Sequence, residues 1–570
     1  MTFAVIYGIL SLKQAFAAPN LIQDDARQHV FWMQRFIDPE LFPGDLIADY
    51  FQAVAPAGYA AVYQLAAALG IHPLIFCRIA PPILGLISTG YFFFFCLEIL
   101  PIPITSFFGS LILNQVIWLK DDVASGTPRA FIYPIFISFL YYLLRGATLG
   151  VVVTIGLIGL FYPQYVFIAA GILILRLLSQ FSFGPLKSDS RLDQQDNHQQ
   201  TKIFIFGLVT AILILLPYAL NTSEFGPAIN REQAMQSLEF FPNGRSMFFH
   251  ADPADFWLTG RRSGMFPKSL LTPATQCAGL FLPLLLILRP VFPKTLTSVQ
   301  QISPKVWILP QLLISAVVMF FLSHAFLFKL HLPSLYTGLS FRIILTAATA
   351  ISLTILINSL FKLRENKLTV KSVKSIKFIV SSIGILALTI TIIFYPSFVP
   401  FFPLVEYRQG KMTELYDFFQ QQPKDTMIAS LSGEVNQLPT FAKRSILMGR
   451  EYMIPYQLGY YNQMYQRTVD LLKAHYDPDL SVLKDLIQTY EINFFLTEMS
   501  AFSPQFFENN DWILEFTDGQ TGLTQLQAGE IPALAWATNR CIVFQFQQFL
   551  VADADCILKL EPQQFEINRR

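Results

Sequence analysis

Between residues 2 and 398 the chain repeats one pattern: an apolar run of roughly 20 residues, the length that crosses a hydrocarbon layer as a helix, closed by a polar connection. Backbone groups in lipid must find their hydrogen bonds inside the segment, so such a chain folds as a helix bundle. Spans are predicted near 2–19, 76–97, 104–119, 129–144, 147–162, 163–180, 203–220, 271–289, 306–328, 339–361 and 378–398, about eleven by this criterion. The stretch 129–180 is a nearly continuous apolar tract interrupted only by Pro and Gly. The first run carries Lys13 and shows no basic leader followed by a small-residue cleavage site, so it reads as a retained span rather than a signal peptide. Composition agrees, with 53% hydrophobic and 14% charged residues where a soluble domain carries about 25% charged. The net charge of +1 gives none of the basic footprint that a nucleic-acid binder needs.

Lys and Arg in the short connections set the orientation. Lys362, Arg364, Lys367, Lys371, Lys374 and Lys377 crowd into 362–377, which is therefore expected in the cytoplasm, with 290–305 and 181–202. The tract SDSRLDQQDNHQQ at 188–200 reads as a polar linker. The outer face then receives 20–75, 120–128, 221–270 and everything from 400 onward, and the N-terminus stays inside. After 399 the pattern changes. TMIASL (426–431), SILMG (445–449), INFFLTE (492–498) and RCIVFQF (540–546) read as strands, and MTELYDFFQQQ (412–422) and SVLKDLIQTY (481–490) as helices. The expected architecture is mainly α: residues 1–399 form a polytopic membrane bundle, and 400–570 an extracytoplasmic α/β or α+β domain. The five cysteines show no CxxC spacing, and Cys541 and Cys556 are free to pair if that domain lies on an oxidising side.

Chemistry-bearing residues gather in the outer segments. QDDARQH at 23–29 sets Asp24 and Asp25 beside Arg27 and His29. On a helix Asp25 and His29 share a face at i, i+4. A carboxylate there can take a proton from an acceptor hydroxyl, or Asp25 and His29 can contribute to a site for a divalent cation, Mg or Mn. A solvated acidic pair at a span end has the same residue types. WLKDDVASGTPRAFIYP at 118–134 adds Asp121 and Asp122 between Lys120 and Arg129, with Pro128 suited to a first helical turn. Arg129 would then stand beside free backbone N–H groups, as a phosphate receptor or as a snorkelling cation. The 221–270 loop brings Arg245 and the pair Arg261-Arg262, a candidate phosphate or diphosphate binder. Arg342 sits at the edge of a span, where a charge is costly unless paired or functional. GxGxxG, P-loop, HExxH and GxSxG patterns are not evident, so nucleotide-dependent and serine-hydrolase chemistry has no support.

The acidic pair in the first outer loop, the polytopic body and the outer C-terminal segment together resemble the GT-C glycosyltransferases. These are membrane enzymes that use polyprenyl-phosphate sugars, among them the protein O-mannosyltransferases and aminoarabinose transferases. The segment LPTFAKRSILMGREYMIPY (438–456) is similar to the start of the outer domain in bacterial members. The resemblance implies Asp24 or Asp25 as catalytic base and Asp121 or Asp122 as a second acidic group. It implies Lys120, Arg129 and Arg342 as ligands of the lipid phosphate. The function this implies is cell-envelope glycan biosynthesis: transfer of a sugar from a polyprenyl-phosphate donor to a glycan, lipid or protein acceptor on the outer face of the plasma or inner membrane. A polysaccharide polymerase or ligase would use the same donors. A flippase or transporter would instead place ionisable groups at mid-membrane, and here they cluster at span ends.

Overall fold

The computed structural model describes residues 1–120, 123–182, 191–220, 223–267, 269–288, 290–291, 296–365 and 371–561. Helices stand at every predicted span. They are α1 (Thr2–Ala15), α5 (Pro73–Ile99), α6 (Pro103–Trp118), α7 (Pro128–Arg145), α8 (Thr148–Phe161), α9 (Gln164–Ser182) and α10 (Arg191–Leu220), then α12 (Leu282–Leu288), α13 (Ile308–Ala325), α14 (Pro333–Glu365) and α15 (Lys371–Phe394). Among the described residues five helical segments are long and apolar enough to cross a membrane: Pro73–Ile99, Gln200–Leu220, Pro304–Ala325, Pro333–Lys362 and Ile379–Phe398. Others are shorter: α8 spans 14 residues, a rise of about 21 Å against a hydrocarbon thickness of about 30 Å. At 271–289 the expected span begins as a 3-10 helix, Ala274–Phe281, before α12.

Small and hydroxylated residues let these helices approach closely and bond across their interfaces. Asn114 Nδ2 on α6 donates to Thr89 Oγ1 on α5 at 2.7 Å, and Thr105 Oγ1 on α6 donates to Thr354 Oγ1 on α14 at 2.9 Å. A Cβ on Gly109 would lie 2.7 Å from Cys96 Sγ.

The segments assigned to the outer face meet at one end of this bundle. Leu21–Gln23 (β1) pairs antiparallel with Tyr407–Gln409 (β2). Asp24–Val30 (α2) follows β1 directly, capped by the Gln23 side chain on the Ala26 N–H. Leu46–Val54 (α3) and Ala57–Ala68 (α4) complete the first loop, and Arg231–Gln236 (α11) lies in the third. The Leu404 N–H bonds to the Trp118 carbonyl at 2.9 Å, and the Ile229 N–H to that of Tyr456 at 3.0 Å. At the other end Glu98 is paired by Arg145 at 3.2 Å and by Lys305.

Beyond β2 the chain forms Thr413–Gln420 (α16), Met427–Ala429 (β3), Leu438–Phe441 (α17), Ser445–Ile446 (β4), Leu458–Tyr476 (α18), Leu480–Tyr490 (α19), Phe494–Glu498 (β5), Ile542–Phe546 (β6) and Phe549–Asp553 (β7). The sheet order is β4-β3-β5-β7-β6, with β3 parallel to both neighbours and β7 antiparallel to both of its own. Phe494 to Thr497 are all buried, as a central strand covered on both faces requires. Cys541 and Cys556 form a disulfide that closes a 15-residue separation. Chain-entropy arguments value such a loop at about 3 kcal/mol. Replacing both cysteines with Ser is therefore expected to lower the melting midpoint of this segment, measured with and without reductant. A midpoint that reductant leaves unchanged in the parent protein would contradict the pairing.

Candidate active site

The acidic pair is split by its own helix. Asp24 turns toward the sheet side and is held by Arg27 at 2.9 Å and by Arg408 of β2 at 3.2 Å. Asp25 turns away from that network and pairs with Arg129, its carboxylate still 36% open to solvent. Arg129 reaches it because α7 begins at Pro128, after a tight turn at Gly126. That glycine has φ +61°, and a Cβ there would lie 2.8 Å from the Cys77 carbonyl oxygen, so the turn admits only glycine. Tyr63 Oη donates to the Gly126 carbonyl at 2.8 Å and pins the turn.

Burial alone would raise the carboxyl pKa of Asp25. The positive charges of Arg129, Arg261 and Arg245 outweigh that and hold it below its ordinary value. Asp25 is therefore ionised at neutral pH. His29 lies one helical turn further on, as the i, i+4 spacing predicts. Burial lowers its pKa more than Asp25 raises it, so its imidazole is neutral at neutral pH. Its ring meets Phe51 edge-on at 5.4 Å.

A second basic group lies beside the first. Lys120 Nζ donates to the carbonyl of Ser269 and, at 3.4 Å, to its hydroxyl. Burial, and next the charge of Arg342, pull the Lys120 ammonium down to about 7. Arg342 Nη1 donates to Tyr133 Oη at 3.3 Å, and Tyr133 in turn lies within electrostatic reach of Arg129. Asp25, Arg129, Tyr133, Arg342 and Lys120 thus form one connected line along the head of the bundle.

The third loop closes over this line. Arg261 is exposed and Arg262 half-buried. Their carbonyls receive the Ser334 hydroxyl and N–H at 3.0 and 3.3 Å, which docks the loop on the start of α14. Arg262 Nη2 donates to the Arg245 carbonyl at 3.4 Å, and Arg245 pairs with Glu451 at 2.8 Å. The structure brings Asp25, His29, Arg129, Arg245 and Arg261 together, and Lys120 with Arg342. It places Asp24 on Arg27 and Arg408, a network that Arg27 links to Glu451 at 3.9 Å. Asp121 and Asp122 lie outside the described residues.

The expected cation site finds little support in this arrangement. Among the described residues no three His, Cys, Asp or Glu side chains gather as a metal-binding group. Asp25 and His29 offer two donors at most, Arg129 already holds the carboxylate, and the surrounding guanidinium charges favour an anion. Sequence reasoning missed Glu239, Arg408, Arg450 and Glu451. Only Arg450 and Glu451 carried a signal, as part of the segment 438–456.

No family model and no curated protein matches the sequence. Solved structures do. The chain is similar to the Archaeoglobus fulgidus oligosaccharyltransferase in its apo form, at 10% identity and TM-score 0.51. It is similar to the same protein in complex with an inhibitory peptide and a dolichol-phosphate, at 11% identity and TM-score 0.51. A third structure, tethered through a disulfide to an acceptor peptide containing the NVT sequon, matches at 12% identity and TM-score 0.51. Each likeness covers 94% of this chain and 72% of the other. Over nearly its whole length the chain has the fold of the Archaeoglobus fulgidus oligosaccharyltransferase.

Proposed function

We propose that this protein is a multi-pass membrane glycosyltransferase that moves a sugar from a polyprenyl-phosphate donor to an acceptor on the outer face of the membrane. The carrying observation is the ionised, partly open Asp25 carboxylate set among Arg129, Arg245 and Arg261 at the head of an apolar bundle. In this reading residues 1–399 receive the lipid, and residues 400–570, on the outer side, complete the site. The acceptor hydroxyl oxygen attacks the anomeric carbon and inverts it. The bond from that carbon to the phosphate oxygen breaks, and the lipid phosphate leaves with the electron pair. Asp25 takes the hydroxyl proton, while Arg129, Lys120 and Arg342 stabilise the departing phosphate. Arg245, Arg261 and Arg262 border the same space from the third loop.

The test is transfer by the purified protein in lipid, with a panel of polyprenyl-phosphate sugars as donors. The expected result is release of free polyprenyl phosphate together with a glycosylated acceptor. Transport of an intact lipid-linked glycan without bond cleavage would overturn the reading. So would topology reporters that place residues 24 and 125 on opposite sides.

A pH dependence follows from Lys120. Its ammonium loses a proton as pH rises through about 7, so its attraction for a phosphate is present below that pH and fades above it. The KM for the donor is expected to rise several-fold between about pH 6 and about pH 9. In Lys120→Arg, which stays charged throughout, that rise should flatten. An unchanged slope in the variant would remove Lys120 from the phosphate site.

A further inference from the structure

Three segments distant in sequence meet on the side chain of Glu451. Its Oε2 accepts from Gln28 Nε2 of α2 at 2.6 Å and pairs with Arg245 Nη2 of the third loop at 2.8 Å. Arg27 approaches the same oxygen at 3.9 Å. The Glu451 carbonyl also accepts from Arg245 Nε at 3.3 Å, so one residue holds two edges of that guanidinium. Glu451 is itself fixed, because its N–H donates to Asn436 Oδ1 at 3.1 Å. Gln28 lies three residues after Asp25 on α2, and Arg245 is one of the charges that act on Asp25.

We infer that Glu451 is a positioning residue, which sets Arg245 and α2 against each other and so fixes Asp25 relative to the cations that hold the donor phosphate. The inference rests on the glycosyl-transfer reading above. Magnitudes separate this role from a structural one. The Glu451 side chain is 32% exposed and that of Arg245 21%, and ion pairs open to solvent to this degree add little stability. A misplacement of about 1 Å at a reacting centre, by contrast, costs a rate factor of about a hundred.

Glu451→Ala is therefore expected to lower kcat/KM about a hundredfold with little change in melting midpoint. Glu451→Gln, which keeps an acceptor oxygen for Gln28 or Arg245, should recover part of that loss. Because Glu451 acts through Arg245, the double variant Glu451→Gln/Arg245→Gln should be no slower than the slower single variant. If the alanine variant does not fold, the glutamine variant and the double-variant comparison still decide the matter. Losses that multiply in the double variant, or full activity in both single Glu451 variants, would overturn the inference and leave the reaction standing. A wild-type protein that cleaves no donor would instead overturn the glycosyl-transfer reading, and the inference with it.

Discussion

Asp25→Asn should lower the transfer rate about a thousandfold, the middle of the range over which a positioned base acts, while Asp24→Asn should cost less than about tenfold. The two residues are neighbours of the same type, and the helix gives them different work. Asp24 spends its carboxylate on Arg27 of its own helix and on Arg408, which joins α2 to β2. Asp25 faces Arg129 with its carboxylate partly open. Asparagine at 25 keeps the shape and a hydrogen-bond acceptor for Arg129 but cannot accept the acceptor's proton. Little stability should be lost there, because the Asp25–Arg129 pair is more than a third exposed on both sides. Single-turnover transfer at saturating donor measures the effect. Equal losses at both positions would mean that the pair acts jointly or serves only to hold α2.

The second large effect is on stability. Glu239 is 2% exposed and pairs with Arg450 at 2.6 Å, and it also accepts the Arg245 N–H at 2.7 Å. Arg450 adds a bond to the Asn243 carbonyl at 3.0 Å and lies 5.5 Å from the Trp512 ring centroid. Glu239→Ala leaves Arg450, in a largely buried place, with only the more distant Glu515 carboxylate at 3.9 Å, a loss that approaches the roughly 3–5 kcal/mol of breaking a buried pair. The thermal midpoint in detergent should fall clearly. The double variant Glu239→Ala/Arg450→Met should regain part of the loss, because the orphaned charge is removed with its partner. A single variant that melts like the parent would show that water reaches Arg450 freely.

Helix positions in the apolar body were legible because hydropathy is a local property: each predicted apolar run carries a helix, from α1 to α15. Helix lengths were less so: Ala274–Phe281, where Gly279 packs close to the Leu345 carbonyl, is a 3-10 start where an α-helix was expected. The strands β3, β4, β5 and β6 lie within apolar runs that marked themselves in the sequence. The long helix α18 was not read, its mean composition being nearly balanced between polar and apolar residues. At the site, shared topology was enough to associate the Asp25 loop with Arg129 and Arg342. The division of labour between Asp24 and Asp25 was not legible, because it depends on Arg408, 384 residues away. Glu451 and Glu239 stayed hidden for the same reason, with partners 423 and 211 residues distant. Single-sequence patterns act over a few turns, and these pairings close only in three dimensions.

The pairing of β1 with β2 also sets a timetable. The chain leaves the ribosome from its N-terminus at about 5–20 residues per second, so Arg408 emerges roughly twenty to eighty seconds after Asp24 by that rate. Until then α2 lacks its sheet partner and the Arg408 tie, and Arg245 lacks Glu451. The helix that carries Asp25 gains its sheet partner only after Arg408, and the Glu451 tie to Arg245 only after residue 451, whereas Arg129 is made early. A chain that stops short of Arg408 thus carries Asp25 on a helix that lacks this tie.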